Sequence, residues 1–125
     1  MALTTAGRNT IADLIIGGGT AFDASNAYLG VGDDNTAFSA AQTDLVAASN
    51  KVRVIVDSTP TNTTNVLEFV ATFTSAVGNF AWAEWGLFNH VSAGTMLTRK
   101  VADQGTKVSG QVWTFTAQIT VGIGS

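Results

Sequence analysis

The sequence predicts a mainly β protein: an antiparallel β-sandwich, or flattened barrel, of about six strands preceded by one N-terminal helix. Three observations carry that expectation. Apolar and polar side chains alternate with period two from Lys51 onward. Clusters of turn-forming residues separate the alternating runs. No β-α-β succession appears, which removes a parallel sheet from consideration. With 125 residues and no cysteine, residues 1–125 are expected to form one domain that buries its core without disulfides.

The elements follow in order. Residues 4–16 read as a helix: Thr4 or Thr5 caps it, Ile11, Leu14 and Ile15 recur at helical spacing, and Gly17-Gly18-Gly19 stops it. A turn around Phe22 to Asn26 leads into a short buried strand, Ala27 to Val31. Gly32 to Asn35 form a turn, and Asn35 or Thr36 is placed to cap a brief helical turn through Ala41. Beyond Lys51, Val52, Val54 and Val56 share one face, with Arg53, Ile55 and Asp57 on the other. Ser58 to Asn65 is polar, holds the only proline (Pro60), and reads as an exposed loop. Leu67, Phe69, Ala71 and Phe73 then alternate against Glu68, Val70, Thr72 and Thr74. A hairpin follows, from Ala81 to Asn89 and from Thr95 to Val101, turning through His90 to Gly94. Its alternation places Trp85 and Leu87 on one face and Trp82, Glu84 and Phe88 on the other. Ala102 to Gly110 reads as a loop. In the last strand Trp113, Phe115, Ala117, Ile119 and Val121 oppose Thr114, Thr116, Gln118 and Thr120.

Composition narrows the function classes. Charged residues make up 12% of the chain, against about a quarter in ordinary soluble domains. The hydrophobic fraction, 46%, is ordinary, so Thr, Ser, Asn and Gly carry the solvent-facing positions. That balance suits a surface partly covered by neighbours. A net charge of −3, with Arg8, Lys51, Arg53, Arg99, Lys100 and Lys107 scattered, argues against a nucleic-acid partner. The start of the chain lacks the cationic and apolar regions of a signal peptide, and the Ile11 to Ile16 run is interrupted by Asp13 and too short to span a bilayer. Synthesis in a cytoplasm and no membrane insertion are therefore expected. Asn62-Thr63-Thr64 matches a glycosylation sequon, but without a secretory signal it reads as a Thr-rich loop.

Candidate chemistry reduces to structural roles. His90 is the single histidine and falls in the hairpin turn, with no nucleophile elbow to serve. The Gly17 to Gly19 run follows a helix, whereas a phosphate cradle precedes one and needs a Lys-Ser/Thr pair. Asp33, Asp34 and Asn35, with Asp23 or Asp44, supply oxygen ligands but not the spacing of a calcium loop, so no metal and no cofactor is assigned. Glu84, flanked by Trp82 and Trp85, would need a second carboxylate to act on a glycoside, and nothing brings Glu68 to it. A buried Glu84 paired with Arg99 or Lys100 is the expectation. Trp82, Glu84, Phe88 and Arg99 remain as candidate interaction residues, Trp82 as a sugar-stacking aromatic. No enzyme activity is expected.

Three segments give the chain a likeness. Leu3-Thr4-Thr5-Ala6-Gly7-Arg8-Asn9 runs into Ile11-Ala12-Asp13; Asn26-Ala27-Tyr28-Leu29-Gly30-Val31-Gly32-Asp33-Asp34-Asn35-Thr36-Ala37-Phe38 continues to Gln42-Thr43-Asp44-Leu45; and Glu84-Trp85-Gly86-Leu87-Phe88-Asn89 precedes Gly94-Thr95-Met96-Leu97. The chain resembles small structural proteins of tailed bacteriophages. The last segment is similar to a hairpin of tail-fibre and baseplate-associated domains. The resemblance implies a virion component made in the host bacterial cytoplasm, without a catalytic site. Its partners would be the major capsid protein or other virion proteins, contacted as a capsid decoration (cement) subunit or as a tail or fibre adaptor. A homo-oligomer, a trimer for choice, suits the symmetry of such particles. The N-terminal segment or the Ser58 to Asn65 loop would serve as an arm, and a carbohydrate-binding module for host attachment is the alternative role.

Overall fold

The computed structural model describes residues 2–122, and among these are one helix and seven strands. The helix is α1 (Thr5–Ile15). The strands are β1 (Tyr28–Gly32), β2 (Lys51–Ile55), β3 (Thr61–Thr63), β4 (Val66–Phe73), β5 (Ala81–Phe88), β6 (Met96–Thr106) and β7 (Trp113–Thr120). All strand pairings are antiparallel, in a four-stranded sheet ordered β2-β1-β5-β6 and a three-stranded sheet ordered β3-β4-β7. The sheets stack as a β-sandwich with one N-terminal helix, the class the alternation predicts.

The inner faces meet in one apolar cluster. β1 gives Leu29 and Val31, β4 gives Phe69, Ala71 and Phe73, β5 gives Trp82, Trp85 and Leu87, and β7 gives Ala117 and Ile119. Aromatic edges join the sheets: Trp82 meets Trp113 at 4.9 Å and Phe73 at 4.7 Å between ring centroids, and Trp85 meets Phe115 at 5.4 Å. Such tilted pairs add about 0.5–1.5 kcal/mol each beyond the area they bury.

Trp82 departs from the predicted alternation. It faces Gly105, whereas Glu84 faces Val101, so Ala83 spans the same length as three residues of β6. This bulge shifts the side-chain parity by one. Trp82 therefore joins Trp85 on the core side, 2% exposed, while Glu84 stays on the opposite face.

Other boundaries also moved. β6 continues to Thr106 through residues expected as loop, because Gly105 and Thr106 pair with Trp82 and Ala81 beyond the bulge. The polar stretch after Pro60 contains β3, which adds to the edge of β4. Its residues are exposed and carry no apolar alternation to announce a strand. The helical turn expected after Asn35 is absent; that segment is irregular up to a single turn at Ala40 and Ala41, and it hydrogen-bonds Arg99 and Thr5 instead.

α1 is capped as predicted. Thr4 Oγ1 accepts from Gly7 N at 2.8 Å, and at the far end Gly18 N donates to Asp13 O at 2.8 Å with Gly17 at φ +88°. Its rotation is set by small and polar residues. A Cβ on Gly7 would lie 2.5 Å from the Leu97 carbonyl oxygen, so the helix backbone touches β6 directly. Thr4 N donates to Leu97 O at 3.0 Å, and Thr10 shares a 2.9 Å hydroxyl bond with Thr95. The apolar stripe is turned outward, with Ile15 79% and Ile16 85% exposed.

Trp85, 5% exposed at the centre of the core, is expected to cost about 3–5 kcal/mol when replaced by alanine. Urea denaturation of Trp85→Ala measures this; a loss below about 1 kcal/mol would place the indole outside the energetic core.

Candidate interaction site

The outer face of the four-stranded sheet carries the residues singled out by sequence. Strand register lays three rows across it: Lys51–Gly32–Glu84–Val101, Arg53–Gly30–Gly86–Arg99, and Ile55–Tyr28–Phe88–Met96. Glycines at the centre leave a trough. A Cβ on Gly32 would collide with Glu84 Oε2, and one on Gly30 would lie 2.7 Å from the Phe88 ring. The carboxylate and the ring thus lie flat on bare backbone.

Glu84 and Arg99 fill the trough as a buried pair, Nε to Oε1 at 2.6 Å, both side chains fully shielded. The carboxylate also accepts from Val46 N at 2.9 Å and Ala47 N at 2.8 Å. Arg99 Nη1 donates to Thr36 O at 2.8 Å and to Gln42 Oε1 at 3.3 Å. Every one of these extra partners belongs to the coil between β1 and β2. The pair holds that coil down as an outer layer, satisfying the hydrogen-bonding groups that make a buried ion pair tolerable. Arg53 works beside it: its guanidinium sits 3.6 Å over the Phe88 ring centroid and donates to His90 O, Ala93 O and Asp44 Oδ1. Sequence reading had singled out Arg99 but not Arg53; its place opposite Gly30 was the available signal.

The interaction role expected of Trp82, Glu84, Phe88 and Arg99 is therefore corrected. They are 2%, 1%, 0% and 2% exposed, and their partners are residues of this chain. Trp82 cannot stack on a sugar: its ring is in the core and its Nε1 donates to Gly78 O at 2.8 Å. The expected pairing of Glu84 with Arg99 is present, and Lys100 takes no part in it. Glu68 lies in the other sheet, bonded to Gln118. His90 stands in the turn, where Nδ1 accepts from Ser92 N and Ala93 N. Among the described residues no three His, Cys, Asp or Glu side chains gather to hold a metal. Lys107, expected in a loop, is 1% exposed and donates to Thr74 O at 2.8 Å and Asn79 Oδ1 at 2.7 Å, pinning the β4–β5 connection.

Among the exposed large apolar side chains are three at α1, alongside Val91, Val108, Val112 and Val121, which lie outside the strands. Ile11 and Ile15, four residues apart, share a side of α1, and Ile16 follows at its C-cap. The expected helix periodicity had shown the stripe but not the direction it faces.

Compared with known protein families, curated proteins and solved structures, the chain matches none. No helix among the described residues is long and apolar enough to cross a membrane.

Two predictions follow the anchored coil. Glu84→Gln leaves a buried guanidinium uncompensated and turns an amide toward the Val46 and Ala47 N–H groups; it should cost about 3–5 kcal/mol in urea denaturation. Hydrogen exchange at Val46 and Ala47 should accelerate in the same variant, and unchanged exchange there would refute the anchoring role. The second concerns acid. Hydrogen bonds from Thr36 hold the Asp34 carboxyl below its usual range. For Asp44, burial pushes upward, but hydrogen bonds from Lys51, Leu45 N and Arg53 outweigh it and hold the carboxyl low. A carboxyl lowered in the folded state stabilises the fold above its ordinary range, and that contribution fades as pH falls toward the lowered value. The thermal midpoint of Asp44→Asn should therefore change less than that of the native chain as pH drops through and below the usual carboxylate range. Parallel profiles would refute it.

Proposed function

We propose that this chain is a non-enzymatic structural protein of a bacteriophage virion, acting as a capsid decoration subunit by binding other virion proteins. The observation that carries the reading is the orientation of α1. The helix packs through Gly7 and Thr10 and offers Ile11, Ile15 and Ile16 to the outside. Burying one such side chain is worth about 1.5–3 kcal/mol, so a helix turned this way is stabilised further only by a partner. The sparse surface charge supports the same reading, since a subunit fixed in an assembly needs little charge for solubility. The likeness of three segments to small phage structural proteins supplies the kind of assembly. Positions on a head or tail repeat by symmetry, and a trimer or a larger closed ring fits that repetition. A tail or fibre adaptor uses the same surface, and cryo-microscopy of particles distinguishes head from tail. The glycan-binding alternative has lost its aromatic, because Trp82 is in the core.

Mass spectrometry of purified particles tests the reading, and absence of the chain from them would sink it. Within it, Ile15→Lys combined with Ile16→Lys should leave unfolding stability within about 1 kcal/mol, because both side chains are exposed and lysine suits a helix C-terminus. The same variant should reduce particle association at least tenfold, by competitive binding against the native chain.

A further inference from the structure

The sandwich is unequal, with three strands facing four. Contacts of Trp82 and Trp85 with Trp113 and Phe115 set β5 over β7. β6 therefore projects past the smaller sheet; the N-terminal segment covers its inner side at Thr98, which is fully buried and bonded to the Ala2 carbonyl, and from Lys100 onward no strand lies beneath it. Lys100 marks the gap. It pairs with core-facing Trp85 and so lies on the inner side of β6, yet it is exposed. A lysine suits an interior sandwich position only where the opposing strand is missing.

The missing position borders the free edge of β7. Val121 N donates to Asn65 O at 2.8 Å, so Val121 and alternate residues before it turn their backbone groups toward β4. Thr114, Thr116, Gln118 and Thr120 turn theirs away. The far side of β4 agrees: Asp57 N donates to Val70 O at 2.8 Å and Asp57 Oδ1 accepts from Thr72 N at 3.1 Å. Val70 and Thr72 are the register partners of Thr116 and Thr114. Natural edges are guarded by charge, proline, bulges or short length. β7 is eight residues in unbroken register and has no charge or proline. Two clefts run along it, one of 320 Å³ beside Gln104, Trp113 and Phe115 and one of 580 Å³ beside Lys100, Gln118 and Thr120.

We propose that this seam receives one extended segment of a partner protein, which adds to β7 as the missing strand and completes a four-on-four sandwich. The site defines its occupant. Side chains of the segment alternate between apolar ones toward Trp113 and Phe115 and small polar ones outward. A carboxylate meets Lys100, which has no anionic partner among the described residues. A second sandwich paired antiparallel through its own β7 would drive the two projecting β6 strands into the same space; a lone arm brings no second layer. Resting on the virion reading, that arm is a terminal segment of a neighbouring virion protein.

A donor strand appended to the full chain tests the seam. A turn containing Asn-Gly and the sequence Thr-Glu-Thr-Ile-Thr-Val-Thr, joined after Ser125, presents the strand at an effective concentration on the order of millimolar, with its glutamate on the inward face at the Thr120 end, where Lys100 lies. Hydrogen exchange of the Thr114, Thr116, Gln118 and Thr120 amides should slow at least tenfold. Thr116→Pro removes a free N–H while sparing the β4 ladder, and should abolish that gain without unfolding the chain. Unchanged exchange at the four amides overturns the proposal. Equal protection from a strand carrying lysine in place of glutamate overturns the role of Lys100. Dimerisation of the unmodified chain that Thr116→Pro abolishes overturns the lone arm in favour of a second copy. With particles, the strand-filled chain should associate at least tenfold more weakly than the unmodified one. Full association despite the filled seam overturns the seam as the contact and leaves the virion reading standing. Absence of the unmodified chain from particles sinks that reading, while the exchange experiment still decides the strand slot.

Discussion

The buried contact between Glu84 and Arg99 fixes the layer that covers half of the sandwich. Exchanged for apolar residues of the same volume, such a pair often costs nothing in stability. Its contribution here is positional. The coil between β1 and β2 has little regular structure of its own and would sample many paths across the sheet. Four of its backbone groups, at Asp34, Thr36, Val46 and Ala47, end on this one pair. Only the path that satisfies the carboxylate and the guanidinium together avoids leaving a charge buried and unpaired.

That arrangement depends on residues with no side chain to contribute. Gly30, Gly32 and Gly86 leave the sheet bare where Glu84, Phe88 and the coil must approach. The flanking arginines then reach inward from β2 and β6, one to the ring and one to the carboxylate. On the opposite face the order is reversed: large aromatics interlock with no charge among them, and Lys100 stands at the exposed margin beyond. A single sheet thus has a polar, glycine-floored side and an apolar side, and the bulge at Ala83 keeps Trp82 on the second.

Much of this was legible. Alternation placed Leu67, Phe69, Ala71 and Phe73, and likewise Ala117 and Ile119, on the core side because each lies in a strand of unbroken register. That Glu84 pairs with a cation of the adjoining strand, Arg99 or Lys100, was legible too, since a lone carboxylate between two tryptophans has few other partners there; which of the two it is follows from the fold. The face of Trp82 was not. A bulge is set by how β5 meets β6, and a period-two pattern read along one strand does not record it. β3 was missed because an exposed edge strand of Thr and Asn has no apolar face. The outward turn of α1 was hidden for a related reason. Its packing face is marked by Gly7 and Thr10, and small residues carry no weight in a hydrophobic pattern.

The polar interior and the apolar exterior are two results of one allocation. Among the described residues every buried side-chain nitrogen and oxygen has a hydrogen-bond partner, including the ammonium of Lys107 and the guanidinium of Arg99. The chain commits four of its fifteen charges to the Glu84, Arg99, Arg53 and Lys107 contacts. Few charges are left for the helix or for β7, whose edge carries none. A monomer with that surface invites strand pairing and apolar contact from whatever is near. Specificity then rests on shape: β6 overhangs the open edge and admits an extended arm more readily than a second sheet. The same shortage of external charge that would endanger a free domain is consistent with one whose exposed surfaces are meant to be covered.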